Sequence, residues 1–148
     1  TVNFQTGIAE DTLFMASAHK VSWSQSQIVV VGDNGAPNVG SAFSDTTSYS
    51  LGLGRKLNDA TSVSLTYSWE NGAGAAATSP FTMSNGSKTL SAGVKHKIDA
   101  FTISAGVSYT KAGDVDVTHM VGASPSGYSA SYAGNSVTAF GLKVGYNF

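Results

Sequence analysis

The sequence predicts an all-β fold: an antiparallel transmembrane β-barrel, with about seven strands forming one unit over residues 1–148. Three observations predict it. Apolar residues alternate with small or polar ones in runs of about ten, the length a tilted strand needs to cross a bilayer. The connections between runs are alternately short and long, as are the periplasmic turns and outer loops of outer-membrane barrels. Charged residues are only 11% of the chain, against roughly 25% in a typical soluble domain. No segment nears the ~20 consecutive apolar residues of a membrane helix.

Taken in order, the first strand covers about residues 2–8 and turns at Ala9-Glu10-Asp11. The second runs over 11–23. Its parity is ambiguous, because Val21 and Trp23 favour one face and Phe14, Ala16 and Ala18 the other. Lys20 or His19 would then face lipid, which is costly near mid-bilayer, and a bulge would switch the parity. Residues 24–46 form a long outer loop. Within it Gln27-Ile28-Val29-Val30-Val31-Gly32 reads as a continuation of the strand or as an apolar docking patch.

Alternation is clean from residue 47 onward. Strand 47–57 sets Tyr49, Leu51, Leu53, Arg55 and Leu57 against Ser48, Ser50, Gly52, Gly54 and Lys56. After the tight Asn58-Asp59-Ala60 turn, strand 62–70 sets Val63, Leu65, Tyr67 and Trp69 against Ser62, Ser64, Thr66, Ser68 and Glu70. A small-residue loop fills 71–86. Strand 88–98 carries Leu90, Ala92, Val94, His96 and Ile98 on one parity, and Thr89, Ser91, Gly93, Lys95 and Lys97 on the other. Asp99-Ala100 turns into strand 101–111, whose Phe101, Ile103, Ala105, Val107 and Tyr109 alternate with Thr102, Ser104, Gly106, Ser108 and Thr110. A long loop follows at 111–135. The last strand, 136–148, sets Phe140, Leu142, Val144, Tyr146 and Phe148 against Gly141, Lys143, Gly145 and Asn147. Period two fits all of these runs and a helical period fits none.

Placing the short turns in the periplasm sorts the aromatics by height. Trp23, Tyr49, Trp69 and Tyr109 fall near the outer strand ends, and Phe101, Tyr146 and Phe148 near the inner ends. Two interfacial belts are expected of amphipathic rings at headgroup level. The general enrichment of aromatics in strands explains the same residues more blandly. Lys56, Lys95, Lys97 and Lys143 share the inward parity in the periplasmic half, a positive ring suited to an anionic headgroup. They would equally pair with Asp59, Asp99 or acidic groups elsewhere in the barrel. Glu70 takes the inward parity at the outer end. Arg55 takes the outward parity and is expected to snorkel to headgroups.

Several function classes find no support. The net charge of −1 gives no nucleic-acid surface. The absence of cysteine removes disulfide and thiolate-metal chemistry. His19, His96 and His119 lack metal-ligand spacing. There is no Gly-x-Ser-x-Gly elbow, and Gly52-Leu53-Gly54 opens no helix as a phosphate loop would. An enzyme is not expected, and no cofactor is implied.

The count of seven strands is odd, whereas a barrel closed by one chain of this type needs an even number. A strand hidden in Asp114–Val121 or Tyr128–Ala133 would make eight; otherwise the chain belongs to a larger barrel. Residue 1 is Thr rather than Met, so the chain is expected to be a processed product or part of something longer. Asn3-Phe4-Gln5-Thr6-Gly7-Ile8-Ala9, with Asp11-Thr12-Leu13 and Val21-Ser22-Trp23-Ser24, resembles the later strands of FadL-type outer-membrane transporters of long-chain fatty acids and hydrocarbons. Tyr49 to Asp59 and Gly141 to Phe148 resemble that family too. The resemblance implies a fourteen-stranded barrel of which this is the last half, without the family's plug or its kinked wall strand. It implies passive passage of hydrophobic molecules across a bacterial-type outer membrane. The expected partners are the bilayer, a hydrophobic ligand or detergent molecule, and the other half-barrel or a second barrel chain. The alternatives are a small autonomous barrel of about eight strands with a structural or surface-interaction role, and a secreted β-sandwich.

Overall fold

In the computed structural model, which describes residues 1–31, 37–39, 43–72, 76–77, 81–121 and 124–147, the chain is all-β. The strands in chain order are β1 (Val2–Ala9), β2 (Thr12–Val21), β3 (Val29–Val31), β4 (Pro37–Val39), β5 (Thr46–Lys56) and β6 (Thr61–Asn71). They continue as β7 (Ala76–Ala77), β8 (Gly86–Ile98), β9 (Phe101–Ala112), β10 (Val115–Val121), β11 (Ser124–Tyr132) and β12 (Ser136–Tyr146). Seven of these form one sheet in the order β1-β2-β5-β6-β8-β9-β12, every ladder antiparallel. They are the seven strands that alternation predicts, with ends moved by a few residues.

The short turns work as their sequences suggest. Asp11 and Asp99 hold positive φ (54° and 50°), a conformation that Asp tolerates better than most residues. Asn58 caps its own turn by accepting from the Ala60 and Thr61 amides at 3.0 and 2.8 Å. Each turn is tied to the next strand along. The amides of Lys56, Lys97 and Asn147 donate to the carbonyls of Asp11, Ala60 and Ala100 at 2.9, 2.9 and 2.8 Å. In the ladder Lys56 lies opposite Ser62 and Ser62 opposite Lys95, so each successive hairpin descends by two residues. One residue per strand, at ~3.3 Å rise and ~4.8 Å spacing, inclines the strands by about 35°, within the range seen in closed barrels.

The loops depart from the sequence expectation in three places. The second strand ends at Val21 and not at residue 23; Trp23–Gln25 is a 3-10 turn. Gln27 pins that turn, its side chain donating to the Trp23 and Phe43 carbonyls at 2.9 and 2.8 Å. Val29–Val31 neither continues β2 nor joins the main sheet: it pairs with Pro37–Val39 as a separate ribbon. Loop 111–135 does contain strands. However, β10 and β11 form a hairpin in a small second sheet with β7, outside the seven-stranded one. The hidden-strand route to eight therefore finds no eighth strand in the main sheet among the described residues.

Among the described residues the buried apolar side chains are Val115 and Val117, both in that second sheet. The seven-stranded sheet has no core of its own. Phe140, Leu142 and Val144 are 82, 74 and 60% exposed, and Phe4, Leu53, Leu65 and Leu90 are exposed as well.

Candidate functional site

Register turns the alternation of single strands into two continuous faces. One row across the sheet reads Phe14, Leu53, Leu65, Ala92, Val107, Phe140; the next reads Arg55, Val63, Val94, Ala105, Leu142. The opposite face reads Ser17, Ser50, Ser68, Thr89, Thr110 in one row and Leu13, Gly54, Ser64, Gly93, Gly106, Gly141 in another. Hydroxyls pair along the first of these, Ser68 with Ser50 at 3.2 Å and Thr89 with Thr110 at 2.8 Å.

The ambiguous parity of β2 is resolved by its neighbour. Phe14, Ala16 and Ala18 lie opposite Leu53, Leu51 and Tyr49, so they belong to the apolar face, and Lys20 opposite Thr47 belongs to it too. No bulge is needed within β2. The parity of Val21 and Trp23 misleads because the strand stops there.

The four lysines expected to face inward share the polar face at the short-turn end. Lys56, Ser62, Lys95, Ser104 and Lys143 form one cross-strand row, and Lys97 stands two residues farther along β8. Lys56 and Lys95 also border a groove of about 530 Å³ with Leu13, Ser64 and Gly93. Lys56 donates to Asp59 at 2.6 Å, so one member of the ring uses a turn carboxylate. That hydrogen bond and the adjacent charge hold the Asp59 carboxyl below its ordinary value of 3.8. Glu70 lies far from the lysines on the same face and accepts from Ser48 at 3.0 Å.

Aromatic residues stand toward both ends of the apolar face, and Phe4, Phe14 and Phe140 stand between them. Tyr49 stacks on Trp69 with ring centres 5.3 Å apart, and Tyr67 stacks on Trp69 at 5.6 Å. Tyr109 lies one row nearer the middle, between Leu90 and Thr138. At the other end Phe101 packs on Tyr146 at 5.1 Å. Trp23 is not a strand residue; its ring packs against Phe43 at 6.3 Å. Phe148 lies outside the described residues.

Two lysines that the sequence reading passes over also belong to the apolar face. Lys88 lies opposite Trp69 on one side and Lys111 on the other. Their parity with Leu90 and Tyr109 was the available signal.

No protein-family model matches the chain, and no characterised protein matches it in sequence. What the chain does must be argued from its two faces.

Proposed function

We propose that the seven-stranded sheet is part of the wall of an outer-membrane β-barrel through which hydrophobic molecules pass without covalent chemistry. One observation carries the membrane part of this reading. Phe4, Leu53, Leu65, Leu90, Val107 and Phe140 leave the apolar face exposed on six of the seven strands, while the other face is mostly Ser, Thr, Gly and Lys. A water-facing sheet with that surface would aggregate, whereas lipid on one side and a lumen on the other satisfy both faces. Strands of 8–13 residues, the stagger, and the aromatic clusters at the two ends of the apolar face support the same reading.

The larger barrel is supported by strand direction. β1 and β12 are the two edges, and six antiparallel ladders between them make them run the same way. Among the described residues no ladder joins them. Open edges are not tolerated in hydrocarbon, so further strands must cover both. The autonomous eight-stranded barrel loses support because β10 and β11 pair outside the sheet. The choice of cargo, long-chain fatty acids or similar hydrocarbons, rests on the FadL-type resemblance of Asn3–Ala9 and Tyr49–Asp59.

The test is reconstitution of the full chain, with whatever polypeptide completes the barrel in its native membrane, into phosphatidylcholine liposomes. Uptake of a fluorescent long-chain fatty acid faster than through protein-free liposomes is expected. Uptake equal to the lipid alone would reject the transport reading, and a chain folded in buffer without detergent would reject the membrane reading.

A further inference from the structure

We propose that Lys88 and Lys111 form a binding site, on the lipid-facing side of the sheet, for the phosphate of an anionic lipid headgroup. The inference rests on the membrane reading above and goes beyond it by assigning a ligand to residues outside the lumen.

The two lysines are directly opposite each other on β8 and β9, which brings their Cβ atoms to about 5 Å. Like charges in that position repel and destabilise a sheet unless something lies between them. The sheet supplies no counter-charge. The only acidic residue in its seven strands is Glu70, which takes the opposite face. Among the described residues neither lysine forms an ion pair, and both side chains are exposed. An external anion is therefore the group that fits between them.

Position selects the kind of anion. Lys88 is the cross-strand neighbour of Trp69, whose indole stacks with Tyr49 and Tyr67. Two residues farther toward the short-turn end the face becomes Leu90 and Tyr109, and beyond them Ala92 and Val107. An ammonium pair beside stacked aromatics, directly above an apolar band, stands where headgroup phosphates lie. A phosphate with two free oxygens would accept from both ammonium groups at once. The shared chemistry is phosphate recognition, and the apolar band directly below assigns it to a lipid.

The test uses Trp69 as a reporter. The chain has two tryptophans, so Trp23→Phe leaves Trp69 alone. The chain, together with the polypeptide that completes the barrel, in phosphatidylcholine nanodiscs is titrated with short-chain phosphatidic acid while Trp69 emission, taken as the difference from a Trp69→Phe control, is followed. A saturable change is expected, with half-saturation raised about fivefold by Lys88→Gln or by Lys111→Gln, and retained when both lysines are replaced by arginine. Circular dichroism of the Gln variants should show unchanged strand content, since each substitution removes a repulsion. Equal titrations of the parent and the Gln variants in a chain that has inserted would overturn this site and leave the barrel reading intact. An identical change on adding inorganic phosphate alone would overturn the lipid assignment. Failure of the chain to insert, with folding in plain buffer, would overturn the barrel reading and this site together.

Discussion

At the residue scale, Gly86 marks a close approach of two backbones. Its φ is +75°, and a Cβ built there would lie 2.3 Å from the Glu70 carbonyl oxygen. The Asn85 amide donates to Gly113 and the Gly113 amide to Gly86, each at 2.9 Å, so the turn locks the long-loop ends of β8 and β9 together. Gly86→Ala should cost about 1–3 kcal/mol from the strained backbone alone, read as a lower urea midpoint for unfolding from detergent or bilayer. Asn85-Gly86 reads in the sequence as an ordinary loop; the crowding exists only once β6 and β9 flank it. A second residue-scale prediction concerns Asp59, whose carboxyl is held low by Lys56. A depressed carboxylate stabilises the fold above its unfolded value, and that contribution is lost as pH falls through the folded value. The NMR titration midpoint of Asp59 should therefore lie below 3.8, and Lys56→Met should move it up toward 3.8. The full exposure of the Asp59 side chain means added salt will shrink the shift.

At the element scale, β12 offers the sharpest contrast between faces, because adjacent residues make opposite demands. Leu142 is 74% exposed on the apolar face, while a Cβ at Gly141 on the other face meets nothing within 4 Å. Leu142→Arg should destabilise insertion by about 2–4 kcal/mol if the residue lies near mid-bilayer, and Gly141→Ser should change it little. Urea titration of the chain folded in phosphatidylcholine bilayers compares the two; equal effects would mean that lipid does not contact this face. The long-loop end obeys a different logic. Alternation in 115–121 is real, yet it serves the small β7-β10-β11 sheet, where Val115 and Val117 are buried, and Asp114 accepts from the Gly134 amide at 2.9 Å to close the hairpin. Sequence pattern reports that a strand has two unlike faces. It does not report which sheet the strand joins.

At the scale of the whole molecule, direction restricts what can complete the sheet. Because β1 and β12 run the same way, an antiparallel complement must contribute an odd number of strands, with both of its outer strands running opposite to them. A second copy in the same orientation would place β12 beside the partner's β1 in parallel. An inverted copy would put its short turns on the opposite side of the membrane. Two copies of this sheet are thus a poor barrel, even though their strands would sum to the number that the resemblance implies. The chain lacks cysteine, which makes this easy to test. Single cysteines along β1 and β12, combined pairwise, should give neither an intrachain disulfide nor a β12–β12 dimer in the folded, detergent-solubilised chain. Either product would show that the edges satisfy one another.

Strand positions, the short and long ends of the sheet, and the face of most side chains were legible in the residues themselves. The pleat is local: each side chain's side follows from its parity within one strand, and the Asn58-Asp59-Ala60 and Asp99-Ala100 turns carry their own geometry. Tertiary pairing alone decided the parity of β2, the exclusion of β10 and β11 from the main sheet, and the rows that set Lys56, Lys95 and Lys143 in line and Lys88 against Lys111. Those are matters of register. Register is fixed by the neighbouring strand, and a shift of one residue would carry every side chain to the other face.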